Sequence, residues 1–454
     1  MTPSTPRNLT RRSLLTTAGS CLILPGHRAP GQQPKPSARL NIAFIGMGGQ
    51  IQGHVARAIE LGHRVAALCD VDSRQIDASR KQHGEAAAKA AAYTDYRRLF
   101  EKESSLDAVV IATPDHWHAP ICRAAMQAGK HVYCEKPLTH TLGEARQLRE
   151  MTRSAKVVTQ TGNQGSASPG LRRSLELIGA GLFGEIRDVH VWHPRHSWPS
   201  GIARPDGSDP VPDGLDWDFW LGPAPVRPYK SGIYHPAQWR GWYDFGNGSL
   251  GDFCCHGFNL PVRALALDQP SRIQVRGTGL GRESFAEACT ATYHFPPTSA
   301  RGPVTLTFYT GGDTPPDDVT ARLRESVGRL PETGCLLVGT KGQLSSGLWN
   351  SDCSLRLDDD PKFLGADNHP AARGIPVTLP RVPGQLDEWI GACLGGPPVF
   401  SDFDRGGHLT EIGLAGILAL RLQRDIEWDG AALKVPGTPE ADRLIRPELR
   451  SRFL

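Results

Sequence analysis

The chain has 454 residues, enough for two domains of ordinary size, and its 39% hydrophobic and 22% charged content is that of a globular protein. The formal charge is +4. Six basic residues and no acid lie within the first forty positions (Arg7, Arg11, Arg12, Arg28, Lys35 and Arg39), so the remainder is slightly acidic and composition argues against a nucleic-acid partner. No apolar run approaches the roughly 18 residues of a membrane span.

The leader reads Thr10-Arg11-Arg12-Ser13-Leu14-Leu15, then a short apolar stretch to Pro25 and a Pro/Gly/Gln-rich run from Pro30 to Pro36. Paired arginines before a modest apolar core are the pattern of a twin-arginine export signal. Residues 1–36 are therefore expected to be signal and linker, with the mature chain in the periplasm or exported. Cys21, after Ala18-Gly19-Ser20, offers a lipid anchor as the alternative, which the shortness of the apolar stretch disfavours. The ten cysteines form no CxxC pair, so neither a metal centre nor a disulfide scaffold is expected.

Strands and helices alternate from residue 41. Asn41–Ile45 reads as a buried strand running into Gly46-Met47-Gly48-Gly49, then a helix to Leu61 and a second strand, Arg64–Cys69, that ends at Asp70. Such a unit sets a glycine turn and a helix N-terminus beside a dinucleotide pyrophosphate. The acid after the second strand accepts from the ribose hydroxyls and repels a 2′-phosphate, which favours NAD over NADP. Ile51 stands where the fingerprint has its third glycine, whose part is close helix–strand packing.

The alternation continues with a helix over Thr94–Glu103 and the strand Leu106–Ala112, which ends in Thr113-Pro114-Asp115-His116-Trp117-His118. After a further helix comes His131–Cys134, ending in Glu135-Lys136-Pro137, and then another helix and the strand Val157–Gln160. This pattern means a Rossmann-type doubly wound parallel sheet over residues 40–163, with ligands beyond the carboxyl ends of its strands. Thr113, Pro114, His118, Glu135 and Lys136 fall there. They join Gly46, Met47, Gly48, Gly49 and Asp70 as candidate cofactor-binding residues.

Residues 164–454 are expected to form a second, α+β domain. A helix near Leu171–Leu177 precedes the strand Ile186–Val191. Six of the ten tryptophans follow (Trp192, Trp198, Trp217, Trp220, Trp239 and Trp242), among them His193, His196, His235 and Arg240. These rings suit either the core of an irregular loop region or stacking on the apolar faces of a sugar. Glu287–Phe295, Pro303–Thr310 and Cys335–Gly339 alternate as strands of a partly exposed sheet, and a helix over 407–424 is expected to pack back near the first domain. Asp252 and His256 are spaced i, i+4, which on a helix places a carboxylate where it can tune an imidazole. Taken alone the pair could equally be a helix-stabilising contact. Lys136, at the carboxyl end of a strand, can donate to a substrate hydroxyl.

Glu135-Lys136-Pro137, with Gly46–Gly49, Cys69-Asp70-Val71-Asp72, Thr113–His118, Gly162-Asn163-Gln164-Gly165 and Gly248–His256, resembles the Gfo/Idh/MocA family of nicotinamide-dependent oxidoreductases, in its exported bacterial branch. The resemblance runs from residue 40 to the C-terminus. It implies a Rossmann domain followed by an α+β domain with an open-faced mixed sheet, used for substrate and oligomer contacts. It also implies NAD as cofactor, a homo-oligomer, and Lys136 and His256 as catalytic residues with Asp252 tuning His256. Asn163, Gln164, His193, Tyr234, Arg240, Trp242 and Asn259 are the candidate substrate residues; at Asn259 the family often has Asp.

The activity so implied is hydride transfer between nicotinamide and a secondary alcohol of a sugar, cyclitol or glycoside. A redox-neutral NAD-dependent glycosidase, which oxidises C3 transiently, eliminates the aglycone and adds water, is the alternative. A non-catalytic NAD-binding sensor or scaffold is a third, against which the intact Lys136 and His256 argue.

Overall fold

The computed structural model describes residues 39–194 and 198–453. The leader and His196 therefore lie outside the described residues. Six strands form a parallel sheet: β1 (Asn41–Ile45), β2 (Arg64–Cys69), β3 (Ala91–Tyr93), β4 (Ala108–Ile111), β5 (His131–Glu135) and β6 (Thr159–Gly162). Their order, β3-β2-β1-β4-β5-β6, is that of a dinucleotide-binding Rossmann sheet.

The middles of β1, β2, β4 and β5 are apolar because both faces are covered. Ala43, Ile45, Val109 and Ile111 feed one core, while Ile42, Phe44, Val110 and Tyr133 feed the other. Register then sets the site. Ile45 pairs with both Cys69 and Ile111, and Ile111 pairs with Cys134. Gly46, Asp70, Thr113 and Glu135-Lys136 therefore emerge side by side at one edge of the sheet.

β6 begins two residues later than the apolar run Val157-Val158 suggests, and it is polar yet buried. The reason lies more than 200 residues away. Gln385 Nε2 donates to the carbonyls of Thr161 (2.6 Å) and Asn163 (2.8 Å), Gln160 Nε2 donates to Gln385 O (2.8 Å), and Thr161 N donates to Ser401 O (2.8 Å). These bonds satisfy polar groups that burial would otherwise penalise. The same returning segment lends Leu386, Trp389, Ile390 and Val399 to the core beneath β1, and Phe403 and Phe453 to the opposite one.

The second sheet holds β7 (Ile186–His193), β8 (Arg272–Thr278), β9 (Ala288–Phe295), β10 (Val304–Thr310), β11 (Gly334–Gly339), β12 (Gly342–Ser346), β13 (Ser354–Leu357), β14 (Leu364–Gly365) and β15 (Ile426–Glu427). It is mixed. β10 runs parallel to β7 and the other paired neighbours are antiparallel. Buried and half-buried residues alternate along β9, as they do when helices cover one face and leave the other more open.

The covering helices are Gly248–Gly257, Asn259–Ala264 and Phe403–Leu422. The long last helix also packs on Leu142–Ser154 of the first domain, where buried Glu411 receives Arg146 (2.9 Å) and Arg149 (2.6 Å).

Candidate active site

A cavity of about 770 Å³ runs along the carboxyl edge of the parallel sheet, from Gly46–Gln50 past Asp70 to Lys136, His256 and Trp349. At its start the backbone turns at Gly46 with φ +85°, and a Cβ there would lie 2.6 Å from Thr113 N. Only glycine meets both demands. Gly48 and Gly49 line the cavity and nothing stands within 4 Å of where their Cβ atoms would be, which leaves backbone open to an incoming phosphate.

Asp70 stands at the same wall. Its carboxylate accepts from Met47 N (2.6 Å) and Asp72 N (2.8 Å). Burial pushes its pKa up to about 6 against the pull of those amides, so it is largely ionised at neutrality and has lone pairs left for ribose hydroxyls.

Two expectations change here. Met47 does not line the cavity: its side chain is core and its amide is spent on Asp70. Ile51 is fully buried in the core beneath β1, so a side chain fills the space that the third fingerprint glycine usually leaves. Thr113, Pro114, His118, Glu135 and Lys136 all reach the cavity wall. His118 ties two of these loops together, with ring nitrogens 2.8 Å from Pro137 O and 2.9 Å from Thr113 O. The Glu135 carboxylate meets His54 Nε2 at 2.7 Å. Bare glycine backbone, a carboxylate at the end of β2 and the length of the groove together fit a dinucleotide.

At the far end Lys136 Nζ donates to Asp252 Oδ2 at 3.0 Å, and Arg240 Nε lies 3.4 Å from Asp252 Oδ1. Burial alone would push Asp252 up, but the charges of Lys136 and Arg240 outweigh it and hold the carboxyl below its ordinary value. Burial would lower Lys136, and Asp252 more than offsets that, so the ammonium persists at neutral pH.

Asp252 therefore partners the lysine. The contact that orients His256 is Asn163 Oδ1, 3.2 Å from Nδ1, while Asp252 acts on the imidazole through its charge, which favours the protonated ring. Burial and then the Lys136 charge bring His256 down to about 3, so the ring is neutral. Its helix reaches the site because Gly257 lies against β7, where a Cβ would be 2.2 Å from Val191 Cγ1.

The substrate candidates divide. Gln164 and Arg240 line the cavity, with Arg240 stacked on Trp239 (4.2 Å) and Trp198 (5.6 Å). Asn163 supports His256 from behind. His193 is buried and stacked on Phe253 at 3.6 Å, and it does not line the cavity. Tyr234 and Trp242 are core, meeting edge to face at 5.1 Å, with Trp242 Nε1 on Ile233 O. Asn259 is buried, donating to Ser166 Oγ (3.1 Å) and accepting from Arg263 (2.7 Å).

Trp192, Trp217 and Trp242 build cores, while Trp220 and Trp239 belong to one and also edge the cavity. This loop region docks on the first domain through His235 Nε2, 3.1 Å from Asp72 Oδ2. Large rings bury most area, so a segment with little regular structure beyond the short helices Trp217–Leu221 and Gln238–Gly241 uses them to build its core.

Sequence reasoning gave no role to Trp349, Phe253 or Asp115. Trp349 is half-exposed, lines the cavity and sets its ring 5.6 Å from His256. It stands in the turn after β12, with no local pattern to mark it. Phe253 carries Lys136 Nζ over its ring at 5.9 Å. Asp115 is buried at the cavity wall, and burial pushes its carboxyl well above the ordinary range. Among the described residues there is no cluster of three metal-ligating side chains, and no helix long and apolar enough to cross a membrane.

Two family models match the chain: the oxidoreductase family's NAD-binding Rossmann fold over residues 40–163, and its C-terminal alpha/beta domain over 181–286. A glycosyl hydrolase family 109 protein of Shewanella pealeana is 31% identical over 206 residues, 39% of this chain and 44% of that protein. An alpha-N-acetylgalactosaminidase of Shewanella oneidensis is 29% identical over 208 residues, with the same shares. The matched stretch thus spans less than half the length of these curated relatives.

Among solved structures, the WlbA dehydrogenase from Bordetella pertussis, in complex with NADH and UDP-GlcNAcA, superposes with a TM-score of 0.61 at 17% identity, covering 87% of this chain and 99% of that one. Levoglucosan dehydrogenase in complex with NADH gives 0.58 at 17%, with 86% and 98% covered. These structures share the fold. The family matches, laid over a glycine-floored groove that ends at Lys136 and His256, show that the chain belongs to the Gfo/Idh/MocA oxidoreductases, with an NAD-binding Rossmann domain ahead of its C-terminal domain.

Proposed function

We propose that the protein oxidises a secondary alcohol of a sugar, cyclitol or glycoside, with hydride passing to nicotinamide. One observation carries this reading. A neutral histidine with its Nδ1 proton fixed by Asn163 stands near a lysine ammonium, at the end of a groove that fits a dinucleotide. His256 Nε2 accepts the hydroxyl proton. Lys136 donates to the same oxygen and stabilises the charge that develops as the proton leaves. Asp252 holds the ammonium in place and is flanked on its other oxygen by Arg240, and Trp349 offers an aromatic face to the ring of the substrate. When bound, NAD supplies the hydride acceptor. Gly46–Gly49 and Asp70 would hold its pyrophosphate and adenosine ribose.

A second reading has its own support, because the curated relatives named above are family 109 glycosyl hydrolases, one an alpha-N-acetylgalactosaminidase. The same proton abstraction would then open a redox-neutral cleavage of a glycoside. Purified protein incubated with free sugars and aryl glycosides separates the two, with NADH absorbance and aglycone release followed together. Net NADH is the expected result. Aglycone release without net NADH, lost when NAD is stripped, overturns the dehydrogenase reading in favour of the second.

We also propose export through the twin-arginine route, on the strength of Arg11-Arg12 in the leader. The protein would cross folded with its nucleotide bound, and would assemble as a homo-oligomer through the second sheet. Changing both arginines to lysine should hold the precursor in the cytoplasm. Continued export of that variant, or exported wild type lacking nucleotide, would sink the proposal.

A further inference from the structure

Arg240 stands at the catalytic end of the groove, on the short helical turn Gln238–Gly241. Its backbone is packed closely, since a Cβ at Gly246 would lie 2.6 Å from Arg240 Cα. The guanidinium lies on the ring of buried Trp239, 4.2 Å from the centroid, with Trp198 at 5.6 Å. So held, the side chain is still 32% exposed and lines the cavity. A guanidinium already fixed on an aromatic face loses little further freedom when a ligand arrives.

Its donors are free. The ion contact runs from Nε to Asp252 Oδ1 at 3.4 Å, but that oxygen receives no hydrogen bond, and among the described residues the guanidinium donates to none. Asp252 is also shared, because Lys136 Nζ holds its other oxygen at 3.0 Å. Two cations thus face one carboxylate. The other acids of this end do not supply the missing charge. Glu135 is engaged with His54 at 2.7 Å, and burial pushes the Asp115 carboxyl well above the ordinary range. One positive charge is left in excess, on a group that faces the cavity.

We propose that the substrate carries a carboxylate, as a uronic acid or its glycoside does, and that Arg240 receives it while Lys136 and His256 act on the secondary alcohol. The inference rests on the reaction proposed above and narrows its substrate class. A planar fork of N–H donors matches the two oxygens of a carboxylate, and a single excess charge suits a monoanion better than a phosphate dianion.

Calorimetric titration of the NADH-bound full chain tests it, because with the hydride acceptor already reduced no alcohol is oxidised and the heat reports binding alone. The probes are glucuronate, galacturonate and mannuronate, each set against its uronamide and the matching hexose 6-phosphate. At least one uronate should bind saturably, and at least about 10-fold more tightly than its amide and its 6-phosphate counterpart. Arg240→Gln should bring that uronate and its amide to within about 2-fold of each other, with NADH affinity retained. Arg240→Lys covers the case in which that variant does not fold. It keeps a cation beside Asp252 and loses the fork, so the preference for uronate should fall by about 3-fold or more. No uronate bound better than its amide up to about 20 mM overturns the proposal. So does a 6-phosphate bound more tightly than every uronate, or a preference that survives both substitutions. Turnover is scored separately with NAD. A uronate that binds through Arg240 but yields neither NADH nor aglycone counts against the reaction and leaves the carboxylate site standing, whereas NADH formed from neutral sugars alone removes the site and spares the reaction.

Discussion

Asn163 Oδ1 lies 3.2 Å from His256 Nδ1, while Nδ2 of the same amide donates to Cys255 O at 2.5 Å. The second bond decides which end of the amide faces the ring. It is the oxygen, so Nδ1 must carry the proton and Nε2 is left as the acceptor. Asn163 is thus a positioning residue, acting through His256.

Asn163→Ala should lower kcat by roughly 10-fold with NAD affinity unchanged, because the ring loses its fixed tautomer and orientation. Asn163→Asp separates this role from a purely structural one. A carboxylate beside Nδ1 favours imidazolium, so the acid limb of the pH–rate profile should move to higher pH. An unmoved profile would show that Asn163 does not act on His256.

Lys136→Met should cut kcat by roughly 10²–10⁴-fold, as expected when both a donor to the reacting oxygen and its charge are lost. The sign of the accompanying pH effect follows from the site. Lys136 depresses the His256 pKa, which lies at about 3 with burial as the larger cause. Removing the ammonium leaves Asp252 to favour the imidazolium, so the acid limb should rise toward the ordinary histidine value of about 6.5. Profiles of kcat against pH for the two proteins check this.

Asp70→Ala should weaken NAD binding and narrow the preference over NADP, since ribose hydrogen bonds and repulsion of a 2′-phosphate disappear together. Asp70 also holds the amides of Met47 and Asp72. Part of the loss will therefore fall on both cofactors alike. Titrating each nucleotide into wild type and variant separates the shared part from the selective part.

Trp349→Ala should raise KM for the sugar by about 10-fold and change kcat little, as removal of a stacking face does when the reacting groups stay in place. Equal losses in kcat and kcat/KM would instead place Trp349 in the transition state.

The parallel sheet and the cofactor end of the groove were legible in the sequence, because each rests on local pattern. A strand buried on both faces is a continuous apolar run, and the turn at Gly46 and the acid at Asp70 sit at fixed distances within one β-α-β unit. Lys136 and His256 were legible through motif resemblance.

Their partners were decided by the tertiary structure. Asp252 and His256 share an i, i+4 spacing, yet Asp252 turns to Lys136, 116 residues away, because burying two opposite charges unpaired would cost more than giving up a contact with a neutral ring. The tryptophans between 192 and 242 gave composition without direction. Packing sent Trp242 to the core and left Trp239 beside Arg240. Polar β6 became a buried strand only because Gln385 returns to bond it. Sequence pattern reports what a segment can bury, whereas hydrogen-bond and charge partners are chosen by whatever the whole fold brings within about 3 Å.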